Sequence, residues 1–368
     1  MTPNTPGQRV VVTRWGDSPL DALEHHMTLE PMPRPDPSLL GPNDVLLRVR
    51  CCAVGWVDLI MSSGQYQHMA PPPYTPGLEF AGDVEAVGTA VTRVRAGDPV
   101  LADGFYTGPR SKGAYQRYGG FATWAIIPEH AAIPLPPSLS YAQAVNLLGN
   151  YETAYHVLVT RGQLRDGETV LINGASGSTG LAAVRLAKML GAHVIATGRS
   201  DAKLAELRAC GADHTLQTAS DEQLAELPAA VKALTDGRGA HVVYDGVGGP
   251  LVEPSLRSLR FGGRFCIVGW AATPDVARGA GGRGAPNANT VPTNLVQMKG
   301  LDVLGCPAVI SLAHNPGLRD ERHAWIFGHV ASGALVPDVG PTHPLARYRE
   351  ALLAKWRSEH LGGCQLEP

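Results

Sequence analysis

Charge of one sign is scarce in this sequence. Lys and Arg number 31 against 33 Asp and Glu over 368 residues, a formal net charge of −2. Without a basic surplus there is no electrostatic footprint for a nucleic-acid backbone or an anionic membrane. Long apolar runs are also missing: no stretch approaches the roughly 18–20 residues of a membrane span. The opening Met1-Thr2-Pro3-Asn4 lacks the basic and then apolar order of a signal peptide. Cysteine is thin, with six residues at 51, 52, 210, 266, 306 and 364 and no C-x-x-C pair. That spacing excludes a disulfide framework and structural zinc, and it fits a reduced, cytoplasmic protein.

What is present is apolar and turn-forming. Hydrophobic residues make 44% of the chain, enough for a sizeable core, and Gly (43) with Pro (30) make about a fifth of it. The ordinary share of those two is roughly 12%, so the excess needs turns, loops or a ligand. The length suits two domains. Up to about residue 145 the chain reads as short strands broken by turns, as at Arg9–Thr13, Val45–Cys51 and the glycine-bent segment Pro76–Gly88. From about Tyr151 strand and helix alternate. Thr169–Asn173 is a compact apolar strand, and Leu181, Val184, Ala187 and Leu190 share one face of a helix stopped at Gly191. A second strand, His193–Thr197, then follows. Helical stretches near 201–209, 221–235 and 250–259 alternate with strands His241–Asp245 and Arg264–Val268. This is the α/β pattern of a doubly wound parallel sheet. We expect a discontinuous first domain, 1–147 with 306–368, interrupted by a dinucleotide-binding domain at 148–305.

The segment Gly174-Ala175-Ser176-Gly177-Ser178-Thr179-Gly180 lies between the first strand and helix of that alternation. Its glycines let backbone approach a pyrophosphate, and the helix start offers N–H groups and positive dipole charge. The competing account is an ordinary strand-to-helix turn that needs glycine for its dihedrals. The second strand discriminates between dinucleotides, because an NAD site usually ends it with Asp or Glu on the ribose 2′-hydroxyl. Here it ends Thr197-Gly198-Arg199-Ser200-Asp201-Ala202-Lys203. Arg199 and Lys203 could hold a 2′-phosphate, and Ser200 could donate to it. Asp201 is read as capping the next helix. NADPH is the expected cofactor.

With these residues in view, the chain resembles the zinc-free quinone oxidoreductase branch of the medium-chain dehydrogenase/reductase superfamily over nearly its whole length. The resemblance rests on Gly167-Glu168, Leu171, Ala175-Ser176-Gly177, Gly180 and Lys188. Earlier in the chain it rests on Pro76-Gly77…Glu79…Gly82…Val84…Val87-Gly88 and Gly97-Asp98-Pro99-Val100. Ser178 and Arg185 depart from it, where glycine and glutamine are usual. It implies a GroES-like β-rich catalytic domain beside a Rossmann cofactor domain, with substrate in the cleft between them, and a homodimer. Zinc-dependent relatives carry a cysteine near the start of the segment matching Gly55-Trp56-Val57-Asp58, and G-H-E where this chain has Gly77-Leu78-Glu79. With those ligands absent, neither Glu79 nor His25-His26 completes a three-ligand site.

Without a metal to polarise a carbonyl, the accessible chemistry is hydride delivery to an already activated acceptor, a quinone or an α,β-unsaturated carbonyl. Enoyl-thioester or 2-haloacrylate reduction is the alternative, and a non-enzymatic NADPH-binding protein a third. The resemblance places Tyr66 at the substrate, as a wall or as proton donor, since a phenol holds its proton at neutral pH; packing is the competing role. Gly55 stands where an asparagine is usual near the nicotinamide, and Trp56 beside it could lie on that ring. Further implied cofactor contacts are Thr153, Tyr155, Gly246, Val247, Gly269, Trp270, Gly305, Cys306 and Arg357. Cys306 is read as a packed thiol rather than a nucleophile, and Thr218 replaces an aromatic residue near the adenosine. Two loops stand out, Asp103–Gly120 and Thr273–Thr290, each read first as mobile surface. The first offers Phe105, Tyr106, Tyr115 and Tyr118 as pocket walls, and Arg110, Lys112 and Arg117 for an anionic acyl-CoA.

Overall fold

The computed structural model describes residues 6–66, 70–272 and 289–368; the loop read at 273–290 lies outside them but for its last two residues. Strands β1 (Gly7–Val12), β2 (Met27–Met32), β3 (Asp44–Ala53), β4 (Phe80–Val87), β5 (Pro99–Ala102), β6 (Trp124–Pro128) and β7 (Ala132–Pro134) come first. Then follow β8 (Thr169–Asn173), β9 (His193–Gly198), β10 (His214–Gln217), β11 (Ala240–Asp245), β12 (Leu259–Ile267) and β13 (Asp302–Gly305). Two short strands close the chain, β14 (Thr342–Pro344) and β15 (Gln365–Glu367).

Among the described residues, one compact unit holds 6–148 and 336–368 and the other 149–272 and 289–335. The first contains a sheet ordered β14-β15-β3-β4-β5-β7, with β6 also on β3, beside the β1–β2 ribbon. Its core gathers inward-facing residues such as Val45, Leu47, Val49, Phe80, Val100, Phe121 and Ile127, closed by Leu352 and Leu366 from the C-terminal segment. Alternation along β3 supplies three of them, since every second side chain faces the same way.

The second unit is a six-stranded parallel sheet ordered β10-β9-β8-β11-β12-β13. β8, β9 and β11 read as continuous branched apolar runs because helices cover both faces of such a sheet. Strand order reverses beside β8, and in open α/β sheets ligands bind at the carboxyl ends near that point. The chain returns to the first unit at Val336, not near residue 306. Helices Ile310–His314 and Gly317–Ala331 stay with the parallel sheet because Arg319, Arg322 and His323 bond to Glu152 and His156 of helical segments preceding β8.

Candidate active site

The turn after β8 is shaped by two glycines with different tasks. Gly174 has φ +68°, a left-handed conformation that costs glycine nothing. A Cβ on Gly180 would lie 2.2 Å from the Gly174 carbonyl oxygen, so only glycine lets the helix Ser178–Met189 sit this close behind the turn. Ala175 is fully buried, its N–H donating to the Thr197 carbonyl at 3.2 Å, which ties the turn to the end of β9. Ser176 and Gly177 lead into the helix and Ser178, Thr179 and Gly180 form its first turn, whose N–H groups are those left without intrahelical carbonyls.

Along the carboxyl margin of the sheet, glycines leave open space. A Cβ on Gly305, at the end of β13, would meet no heavy atom within 4 Å. On Gly177, Gly246 and Gly269 it would meet only backbone or ring-edge atoms at 3.4–4.0 Å, ordinary contact distances. Four glycines, three beyond β8, β11 and β12 and one ending β13, thus border space that a side chain would fill. The residues fit a dinucleotide lying across the strand ends.

Beneath this margin lies a buried polar network that sequence reasoning did not single out. Asn173 donates through Nδ2 to Asp245 Oδ1 at 3.2 Å and to Ser255 Oγ at 2.8 Å, and accepts from Thr197 Oγ1 at 3.2 Å. Asp245 Oδ1 also accepts from the Val247 and Gly248 N–H groups at 3.2 and 3.1 Å, which fixes the turn carrying Gly246 and Val247. Burial pushes the Asp245 carboxyl up from its ordinary range. The segment after β12 builds on the same turn: Ala272 N–H donates to Val247 O at 2.9 Å and Gly269 N–H to Asp245 O at 3.3 Å, leaving Trp270 partly exposed.

At the end of β9, Gly198 is followed by exposed Arg199. Ser200 caps the helix Asp201–Ala209, accepting from the Lys203 N–H at 3.5 Å. The cap is therefore Ser200, and Asp201 is the first helical residue, a correction to the sequence reading; an oxygen suits this place because it satisfies a free N–H of the first turn. The Ser200 hydroxyl hydrogen is not used by that bond. Partial burial, and then the charge of Arg199, hold the Lys203 ammonium below its usual range, so the two cations share one locality. Thr218 donates to the Gly198 carbonyl from its N–H (2.9 Å) and its hydroxyl (3.4 Å), bracing β10 against β9.

Thr153 and Tyr155 lie on the helix Leu148–Tyr155, and both hydroxyls are engaged: Thr153 donates to Gly149 O at 2.7 Å and Tyr155 to Glu321 Oε1 at 2.9 Å. Cys306 is buried, its N–H on Ile267 O at 3.0 Å and its thiol on Leu304 O at 3.4 Å. Beside it lies the thiol of Cys266, also buried.

The remaining site residues belong to the first unit. Trp56 opens the helix Trp56–Ser62 and stacks on Trp356, ring centroids 5.4 Å apart and planes 7° from parallel. That face of the indole is occupied by protein. Arg357 ends the helix Tyr348–Trp356 and pairs with Glu359 at 3.7 Å, both exposed. Tyr66 is half-buried, two residues past the turn at Gly64. Asp58 was not foreseen as an organising residue. At 1% exposure it accepts from Gly77 N–H through Oδ1 and from Gly55 N–H through Oδ2, both at 2.9 Å. Burial outweighs those bonds and raises its carboxyl to about 6. A side chain at Gly55 would press on Asp58 Oδ2 at 2.9 Å.

The loop 103–120 is largely fastened rather than loose. Tyr115 donates to Asp44 at 2.5 Å, Arg110 to Glu79 at 3.2 Å, and Thr107 and Ser111 are buried. Tyr115 and Arg110 thus have partners within their own unit, while Lys112 and Arg117 stay exposed.

A GroES-like unit and a parallel sheet with a glycine turn define a nucleotide-dependent dehydrogenase/reductase. The comparisons agree. Residues 41–137 match the alcohol dehydrogenase GroES-like domain family and residues 178–310 the zinc-binding dehydrogenase family. A quinone oxidoreductase-like protein 2 homolog from Nematostella vectensis is 32% identical over 314 residues, 85% of this chain and 78% of its own length. A quinone oxidoreductase from Pseudomonas aeruginosa is 30% identical, covering 86% of this chain and 88% of that one. The solved quinone oxidoreductase of Thermus thermophilus, also determined with NADPH, is 27% identical with a TM-score of 0.74, over 98% of this chain and all of that one. The chain belongs to the medium-chain dehydrogenase/reductase superfamily of oxidoreductases, in its quinone oxidoreductase-like branch.

Proposed function

We propose that the protein is an NADPH-dependent, zinc-independent reductase of quinones or other activated α,β-unsaturated carbonyls. The observation that carries the reading is the pairing of the glycine turn with Arg199 and Lys203 at the end of β9, where Arg199 rather than Asp or Glu follows the last strand residue, Gly198. In this reading Ala175–Gly180 hold the pyrophosphate, Arg199, Ser200 and Lys203 the 2′-phosphate, and Gly246, Val247, Gly269, Trp270, Gly305 and Cys306 border the nicotinamide. Thr153 and Tyr155 flank the nicotinamide from the helix Leu148–Tyr155. NADPH bound there would supply the hydride. Tyr66 is assigned the proton that an enone needs after hydride addition, or a place in the substrate wall, and Trp56 and Arg357 are assigned to the cofactor. What supports a metal-free reaction is donor chemistry: Gly55 and Leu78 stand at the ligand positions and carry no donor atoms. We also propose that the protein is a homodimer. It is supported by the outer edge of β13, which pairs with no strand among the described residues and exposes Val303.

The test is NADPH oxidation with quinones, 2-enones, 2-haloacrylates and enoyl-CoAs in the presence of a chelator. Turnover of quinones or enones is expected. Turnover of enoyl-CoAs alone would move the assignment to thioesters. A need for added zinc, or NADPH binding with no acceptor reduced, would overturn it.

A further inference from the structure

The helix that begins at Leu148 changes its winding at His156. Over His156–Arg161 it forms a π turn, closed by the Gly162 N–H on Val157 O at 2.7 Å. Bonding five residues apart brings residues five apart onto nearly one face, and such turns recur at functional sites. His156 and Arg161 are five apart, and both reach the segment that follows β13. Arg161 Nε donates to Gly305 O at 3.1 Å. Arg322, 1% exposed on the helix Gly317–Ala331, donates to Ala308 O at 3.0 Å and to His156 Nδ1 at 2.8 Å. A guanidinium only donates, so Nδ1 accepts and the proton of the neutral ring sits on Nε2, where it faces Ser311 Oγ at 3.3 Å. Three groups therefore hold one segment at three places: Gly305, Ala308 and Ser311.

The held segment begins at Gly305, the glycine of the strand-end margin with nothing above its Cα. Resting on the cofactor assignment above, we propose that Arg322, His156 and Arg161 form a clamp that positions the Gly305–Ser311 backbone for the nicotinamide end of NADPH. They are positioning residues and touch neither cofactor nor substrate. The chemistry is that of a second layer behind a ligand-binding backbone: a segment held within a fraction of an ångström meets its ligand without paying to order itself. Burial and two neighbouring guanidiniums, Arg322 and Arg161, hold the His156 imidazole down to about 4, consistent with a neutral acceptor.

The experiment compares two probes by calorimetric titration. NADPH spans the whole margin, whereas adenosine 2′,5′-bisphosphate reaches only the glycine-turn and Arg199 end. For Arg322→Lys, which keeps the charge but not the forked geometry, NADPH affinity is expected to fall about five-fold or more. Its bisphosphate affinity should stay within about two-fold of wild type. Arg161→Gln changes an exposed residue, keeps the test open if Arg322→Lys does not fold, and is expected to act in the same direction more weakly. Wild-type NADPH affinity in both variants would overturn the clamp. Equal losses for the two probes would overturn it too, reducing these residues to general stability. A wild-type protein that binds neither probe would overturn the cofactor reading, and the clamp with it.

Discussion

At the residue scale, the glycines divide by what surrounds them. Gly180→Ala forces a methyl against the Gly174 carbonyl, and overpacking of that kind costs roughly 1–3 kcal/mol. Gly305→Ala meets nothing in the protein, so its melting temperature should match wild type while NADPH binding weakens, because the methyl occupies ligand space. Melting curves and NADPH titrations of both variants check the contrast. Asp58→Asn keeps the shape but leaves one of the Gly55 and Gly77 N–H groups without its acceptor. A loss of about 1–3 kcal/mol in denaturant unfolding is expected. The glycine turn was legible in the sequence because its spacing and its flanking strand and helix are local. Asp58, Asp245 and Arg322 were not. Each is an ordinary charged letter whose burial depends on segments tens to hundreds of residues away.

At the element scale, the strand Thr169–Asn173 was readable to the residue, since a doubly covered strand is an uninterrupted apolar run. The margins β10 and β13 escaped notice: each has four residues, partly solvent-facing, with His, Thr, Gln or Asp among them. A signal for the helix Gly317–Ala331 was available but unused. Arg319, Arg322 and His323 have the i, i+3, i+4 spacing of one helical face, and so do Glu152, Tyr155 and His156. Those faces meet: burial pushes the Glu152 carboxyl up, but His323 and Arg319, bonded to it at 2.9 and 3.2 Å, outweigh burial and hold it down to about 2.

A pH dependence follows from His156. Its imidazole is lowered from the ordinary 6.5 to about 4 by burial, by Arg322 from the facing helix and by Arg161 on its own turn. As pH falls below about 6.5 the unfolded chain takes up a proton that the folded chain refuses. Stability should therefore fall between pH 6.5 and 4, by up to about 1.4 kcal/mol per pH unit from this group. His156→Gln can accept from Arg322 and donate to Ser311 without titrating, so its urea midpoint should fall less over the same range. Coincident profiles for the two proteins would contradict this assignment.

At the scale of the whole molecule, the surplus of glycine and proline is partly accounted for by the strand-end margin and by turns of the first unit. The near-zero net charge conceals a local concentration of positive charge at Arg199 and Lys203. Among the described residues no helix is long and apolar enough to cross a membrane. In the proposed function this basic corner selects a phosphorylated dinucleotide for hydride transfer. That selection is tested most directly by kcat/KM for NADPH and for NADH with one quinone acceptor, in wild type and in Arg199→Glu. Charge-assisted bonds to the 2′-phosphate should give wild type a preference for NADPH of roughly 10- to 100-fold, and Arg199→Glu should bring it down or reverse it. Equal use of the two cofactors by the wild type, or a ratio unmoved by the substitution, would contradict the account.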